Sequence, residues 1–230
     1  MTFPNPVEFP NTWITPLSSV LSQERMDAEH FNPFYAAIEA AITMSDRSEV
    51  LGDLLSYCKR APQPKYDPTG EILVLNSQQV GEHFCNLDGA ERTSQEYWDK
   101  KPAARVKKYD VLVNSTGIGT IGRVNCVLHD EPTVVDNHVS ILRVKPGSVD
   151  PLYLAVFLNS RLGREQTYRW QSGSSGQIEL YPDDIKRFVV VVPDPDVQAG
   201  IASDLQAAYD ALRVASGLAQ AAETSVEDLI

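Results

Sequence analysis

No proline occurs between Pro195 and Ile230, and across that stretch apolar or alanine residues recur at Ile201, Leu205, Ala208, Leu212, Ala215, Ala219, Ala222, Val226 and Leu229. The spacing alternates four and three, which is the seam of a coiled coil or helix pair. Asp194 is a capping residue type, and Pro195 fits the first helical position, where the missing N–H costs nothing. The spacing therefore predicts one helix from Asp194 onward, roughly 50 Å long. A helix of that length outreaches the small domain before it. Its seam then needs a partner, the alternative being a terminal helix docked on its own domain. Ser216-Gly217 is its weak point, because a mid-helix glycine costs about 1 kcal/mol.

The preceding residues, 1–193, read as one α+β domain with a helical lead-in over 1–50. Asn32-Pro33 starts a short helix whose apolar face is Phe34, Ile38, Ala41 and Ile42 and which ends near Met44; a second is expected from Ser48 to about Tyr57. Strands are expected at Glu71–Leu75, Tyr109–Asn114 and Arg123–Leu128, with one or two more between Val134 and Val144 around Asp136-Asn-His138. Pro151 opens a helix that stops near Ser160 or continues through Arg164 and Tyr168. The loop Gln171–Gln177 is irregular, a helical turn is expected at Pro182-Asp183, and Phe188–Val192 is a β-branched run typical of a buried strand.

At 230 residues the chain is long enough to bury a core without disulfides or metal. No run of about 18 apolar residues is present, which argues against a membrane span. Residues 1–11 lack the basic and apolar regions of a secretory signal. Three cysteines (Cys58, Cys85, Cys126) at irregular spacing suit a reducing cytoplasm. The net charge of −11 speaks against nucleic-acid binding when taken over the whole chain. It is unevenly placed: Lys100–Arg187 carries 13 Lys and Arg against 9 Asp and Glu, while the remainder has 7 against 22. That stretch is the better anion-facing surface.

Gly117-Ile-Gly119-Thr-Ile-Gly122 satisfies G-x-G-x-x-G after a strand-like run. A dinucleotide site needs a helix next, since the pyrophosphate sits on its amino terminus. The next residues, Arg123–Leu128, are instead a β-branched run with a proline soon after, at 132, so no cofactor is expected. The glycines suit a tight connection that exposes backbone N–H groups and the hydroxyls of Ser115, Thr116 and Thr120. His83-x-Cys85 and Cys126-x-x-His129 do not have zinc-finger spacing, and no metal is expected. No Gly-x-Ser-x-Gly elbow surrounds a serine, so nothing supports a hydrolase. Lys100–Lys108 holds five positive charges in nine residues with no acid. Its two readings are a solvated loop and a phosphate-contacting strip of Lys100, Lys101, Arg105, Lys107 and Lys108, with Arg123 beside the glycine loop. Arg161, Arg164 and Arg169 near Tyr168 and Trp170 make a second cationic and aromatic cluster beside the polar loop. Gln171, Ser174, Ser175 and Gln177 on that loop, with Ser115, Thr116 and Thr120, are side chains able to read base edges.

Tyr109-Asp-Val-Leu-Val-Asn-Ser-Thr-Gly-Ile-Gly-Thr-Ile-Gly-Arg-Val124 resembles the G-D-I-L…G-T-I-G-K/R signature of type I restriction-modification specificity subunits. Val149–Ser160 resembles that family's P-x-Y-L…L-n-S segment, Gly173-Ser its G-S/T loop, Ile185–Pro195 its l-k-x-i-x-i-P-x-P segment, and Gln198 with Ile201 the opening of its spacer helix. Tyr109 stands where the family usually has glycine, and Val197 where it usually has glutamate. The resemblance implies a target-recognition domain over 1–193 and a long helix over 194–230. It implies sequence-specific binding of double-stranded DNA, without catalysis, cofactor or metal. The partners implied are a DNA methyltransferase subunit, a restriction or translocase subunit, and a second copy joined through Ile201, Leu205, Ala208, Leu212, Ala215, Ala219, Val226 and Leu229. The alternative is a protein-interaction module on the same scaffold, within a defence complex, that does not read DNA.

Overall fold

The computed structural model describes residues 12–45, 47–85, 87, 89–173 and 176–229. After a short exposed helix, α1 (Leu17–Gln23), Asn32 caps α2 (Pro33–Thr43) by accepting the Phe34 N–H, and Phe34, Ile38 and Ile42 are buried as their spacing requires. The expected second helix is not there. Ser48–Val50 is a strand, β1, followed by one helical turn, α3 (Leu51–Leu54), and then strand β2 (Leu55–Arg60). The apolar positions at 50, 51, 54 and 55 match a helical period. Their strand partners, however, lie more than 80 residues further on: Ser48 opposite Val191, and Cys58 opposite Leu142. Tertiary pairing overrides the local pattern here.

The next strands are β3 (Ile72–Leu75), β4 (Glu91–Thr93), β5 (Val111–Asn114), β6 (Val124–Cys126), β7 (Thr133–Val135) and β8 (Val139–Val144). They form a four-stranded antiparallel sheet in the order β2-β8-β5-β6 and a three-stranded mixed sheet in the order β4-β3-β7. Alternation along the strands sorts the core into two layers. Val111, Val113 and Leu142 face a helical layer, while Leu112 and Ile141, one residue away, face Val74, Leu75 and Val134 of the second sheet. The helical layer comprises α2, α5 (Pro151–Asn159) and α6 (Arg161–Trp170); the helix opened by Pro151 stops at Ser160, the first of the two expectations, and a separate helix then carries Arg164 and Tyr168. A turn of helix, α7 (Pro182–Ile185), precedes β9 (Val189–Val191), which pairs with β1 and buries Val190 alone. Strand β4 and the helix after it, α4 (Gln95–Lys100), carry periodicity too weak to be read from the sequence.

Helix α8 (Pro195–Glu227) has two parts. Gln198 accepts the Asp150 N–H and donates to the Pro193 carbonyl. Ala202 is buried, Ile201 and Leu205 pack on the domain core, and Tyr209 stacks on Phe84. Residues 210–229 are exposed on every side. The seam residues Ile201 and Leu205 thus serve their own domain first, and the helix projects about 27 Å beyond it, over 210–227. Among the described residues no helix is long and apolar enough to cross a membrane.

Asp110, just before β5, is 1% exposed and anchors the sheet. Its carboxylate accepts the Arg143 guanidinium at 2.7 and 2.6 Å and the Lys107 N–H at 2.8 Å. Asp110→Ala should lower stability by about 3 kcal/mol in urea denaturation, the lower end for breaking a buried pair, since Arg143 keeps 27% exposure.

Candidate functional site

Strands β5, β6, β8 and β2 run alternately, so one end of their sheet collects the residues after β5, before β6, before β8 and after β2. The glycine loop joins β5 to β6 at this end. Gly117, Gly119 and Gly122 adopt φ of 95°, 81° and 77°, a left-handed backbone that glycine takes without a Cβ clash. A strand comes next rather than a helix, so the loop is a tight connection. Thr120 bonds the Thr116 and Gly117 carbonyls, fixing the loop, and Ile118 stands exposed at its tip.

The polar loop after α6 meets the glycine loop here. Ser172 and Glu179 exchange backbone hydrogen bonds at 2.7 and 2.8 Å, and Glu179 is bridged to Thr116. Gly173 is required at the closure, because a Cβ there would lie 2.0 Å from the Gln177 carbonyl. Between the two loops lies a cleft of about 300 Å³ lined by Arg123, Arg164, Tyr168, Gln171, Ile118 and Gly119, among others. The buried Arg123 Nε and Gln171 Oε1 have no hydrogen-bond partner. Arg164 is paired with Glu82 at 2.8 Å.

Several residues of this end carry no sequence signal. His138 Nδ1 lies 2.6 Å from Thr116 Oγ1 on the exposed surface. Arg60 donates to Glu179 at 3.2 Å and lies over the Tyr181 ring at 5.4 Å. A hydrogen bond from Tyr181, with Arg60 adding to it, holds the Glu179 carboxyl below the usual range. Asp136 accepts the backbone N–H of His138, not its ring, so the Asp-Asn-His segment is a turn and not a proton relay.

The structure divides the sequence candidates. Thr116, Thr120, Arg123, Gln171 and Gln177 share the loop end. Ser115 belongs to the interior: it is 0% exposed, and its hydroxyl bonds Ser140 at 2.6 Å, so it braces the loop instead of reading bases. Ser174 and Ser175 lie outside the described residues. Lys107 and Lys108 precede β5 and so sit at the opposite end of that strand, with Lys108 paired to Asp130 at 2.8 Å. Lys100 pairs with Glu96. Arg105 donates to the Trp98 carbonyl and lies over its ring at 4.7 Å, beside β7. Lys101 is exposed on the turn after α4. The strip is therefore partly neutralised, and its carboxy-terminal half lies away from the loops. Of the second cluster, Arg169 is buried and paired with Glu39.

Burial pushes the Cys58 and Cys85 thiols up to about 12, and that of Cys126 up as well. No group of three or more His, Cys, Asp or Glu among the described residues could hold a metal. Tyr109 adopts φ of 67°, the region that favours glycine, which accounts for the glycine usual at that position of the motif.

A family model described as the type I restriction modification DNA specificity domain matches residues 27–223. The chain belongs to this family. The specificity domain is also similar in fold to solved structures. One, described as the structural basis of complex assembly and conformational transition of the type I R-M system, is 16% identical; 92% of this chain and 52% of that one align, with a TM-score of 0.53. A type IIG restriction endonuclease, BpuSI, is 8% identical over 84% of this chain and 30% of that one, with a TM-score of 0.55. The S subunit of a type I restriction-modification system from M. genitalium is 16% identical over 71% and 39%, at 0.49. The specificity domain thus spans about half the length, or less, of these structures. No curated protein sequence matches it.

Proposed function

We propose that this chain reads duplex DNA with the loop end of the four-stranded sheet, as the non-catalytic specificity component of a restriction-modification system. It addresses a separate methyltransferase and, through it, a restriction subunit. The observation that carries the reading is the convergence of the glycine loop, the Gln171–Glu179 loop and the 136–138 turn on one edge of the fold, with an unpartnered Arg123 nitrogen and Gln171 oxygen between them. Arg123 and Arg164 contact phosphates. Thr116, Thr120, His138, Gln171 and Gln177 face base edges, glutamine being suited to adenine and Glu179 to a cytosine amino group. The strip Lys100, Lys101, Arg105, Lys107 and Lys108 lies outside this interface. Substituting His138 or Gln177 by alanine should relax selectivity at one base position by roughly 10- to 100-fold, with affinity for unrelated duplex unchanged. Competition titrations against single-base variants measure this, and unchanged discrimination in both variants argues against this edge as the reader.

Residues 194–230 supply the dimer contact in this proposal, and the seam supports it. It is symmetric about Gly217: residues 215 and 219, 212 and 222, 208 and 226, and 205 and 229 lie at equal distances on either side. Two antiparallel copies place Leu212 on Ala222 and Val226 on Ala208, large on small, with Ala215 on Ala219 at the centre and Leu205 on Leu229 at the ends. Parallel pairing would stack alanine on alanine at 208, 215, 219 and 222 and leave gaps. Beside the seam, a groove of about 800 Å³ between Phe84, Leu87, Tyr209 and Leu212 receives the carboxy-terminal turn of the partner helix. A two-fold dimer reads an inverted repeat.

A further inference from the structure

We propose that Arg25 and His30, in the lead-in before the domain core, are positioning residues for DNA reading: they fasten the end of α6 and thereby set the loop that carries Gln171 and Gln177. The proposal rests on the DNA-reading function above.

The last carbonyls of a helix have no partner within it and carry partial negative charge. In α6 three successive ones, of Arg169, Trp170 and Gln171, are all taken by the lead-in. His30 Nδ1 meets the Arg169 carbonyl at 3.0 Å, while Arg25 Nη1 and Nη2 donate to the Trp170 and Gln171 carbonyls at 2.9 and 2.8 Å. A carbonyl only accepts, so His30 Nδ1 donates to it, and Nε2 lies 2.5 Å from Gln23 Oε1. Asp27 orients the guanidinium by accepting from Nε and Nη2 at 2.8 and 2.9 Å. The Arg25 side chain is 9% exposed, and His30 is fully buried with its ring edge-on to Trp170 at 4.6 Å.

These contacts stop one residue before the Ser172–Glu179 bridge that closes the reading loop. Gln171 itself lines the cleft with Arg123 on one side and a second cleft, with Arg25 and Asp27, on the other. The hydrogen bonds from Arg25 and His30 go to backbone carbonyls, and they hold the chain at the start of the loop from which Gln171 and Gln177 project. Discrimination between bases requires those side chains held to within a fraction of an ångström, whereas phosphate attraction tolerates looseness. Loss of the fastening should therefore separate the two.

The test compares the full chain with Arg25→Gln and Arg25→Lys, using the duplex it selects, a scrambled duplex of equal length, and amide hydrogen exchange. For Arg25→Gln, affinity for the scrambled duplex and its salt dependence stay within twofold, and the ratio of selected to scrambled affinity falls at least tenfold. Exchange accelerates at Ser172 and Glu179 while the amides of β5 and β8 stay protected. Arg25→Lys, which keeps a donor for the carbonyls, retains an intermediate ratio. An unchanged ratio overturns the proposal, and so does unchanged exchange at Ser172 and Glu179. Equal loss on both duplexes assigns Arg25 to general folding and overturns it too. If Arg25→Gln does not fold, Asp27→Asn removes only the orienting carboxylate and is judged by the same criteria. A wild-type chain that prefers no duplex overturns the DNA-reading function itself, and exchange still reports whether the fastening exists.

Discussion

Leu212→Asp should halve the mass of the protein in sedimentation at micromolar concentration and lower its affinity for an inverted-repeat duplex by roughly 10²- to 10⁴-fold. Leu212 is 46% exposed on α8, in the wall of the groove that Phe84 and Leu87 also line. In the antiparallel pairing it fills the space above Ala222 of the second copy, twice per dimer by symmetry. A carboxylate there is buried without a partner at two places in one interface. The loss on DNA comes from valence alone: with the dimer intact the second half-site is bound as an intramolecular event, and the monomer forfeits that effective concentration. Val214→Asp is the control. Val214 is also exposed, at 59%, but lies between the seam residues Leu212 and Ala215 at a position that faces away from the seam, and its substitution should leave the mass unchanged. A Leu212→Asp protein that keeps its mass contradicts the symmetric seam.

The second large effect belongs to Arg123. Its Nε is buried without a partner at the edge of the cleft between the two loops, so the group already bears a desolvation cost that a phosphate oxygen would offset. Arg123→Gln should weaken binding about 10- to 100-fold on every sequence and reduce the slope of log affinity against log salt by about one. Lys107→Gln combined with Lys108→Gln, removing twice the charge, should change both by less than twofold, because these residues lie at the other end of β5 and Lys108 already has Asp130. The reverse ranking would move the interface to the basic strip.

The parts of this fold that are legible in the sequence are those determined by local periodicity. The seam of α8, the Asn32 cap, the strands around the glycine loop and the break after Ser160 depend on neighbours within a turn or two. Ser48–Tyr57 misleads because its apolar spacing fits a helix while its pairing partners are remote. The candidate site is legible in its chemistry and only partly in its geometry. The absence of a helix after Gly122 separates the loop from a nucleotide fold, and three positive φ angles bear out the tight connection. The strip at Lys100–Lys108 reads as a phosphate surface because linear charge density is visible in a sequence, whereas the end of a sheet at which a residue emerges is not. Ser115 groups with Thr116 in the sequence for the same reason: adjacent residues on an extended chain face opposite ways, one inward to Ser140 and the other outward to His138. His138, Glu179 and Arg60 come together only through the sheet.

Selection from a random duplex pool on the immobilised full chain at low salt, with sequencing of what is retained, tests the central claim most directly. The account predicts a gapped inverted repeat whose two halves are identical, the product of one reading edge presented twice by a two-fold dimer. A pool returned without any enriched sequence, by protein shown to be folded and whether or not a methyltransferase subunit is added, would contradict it.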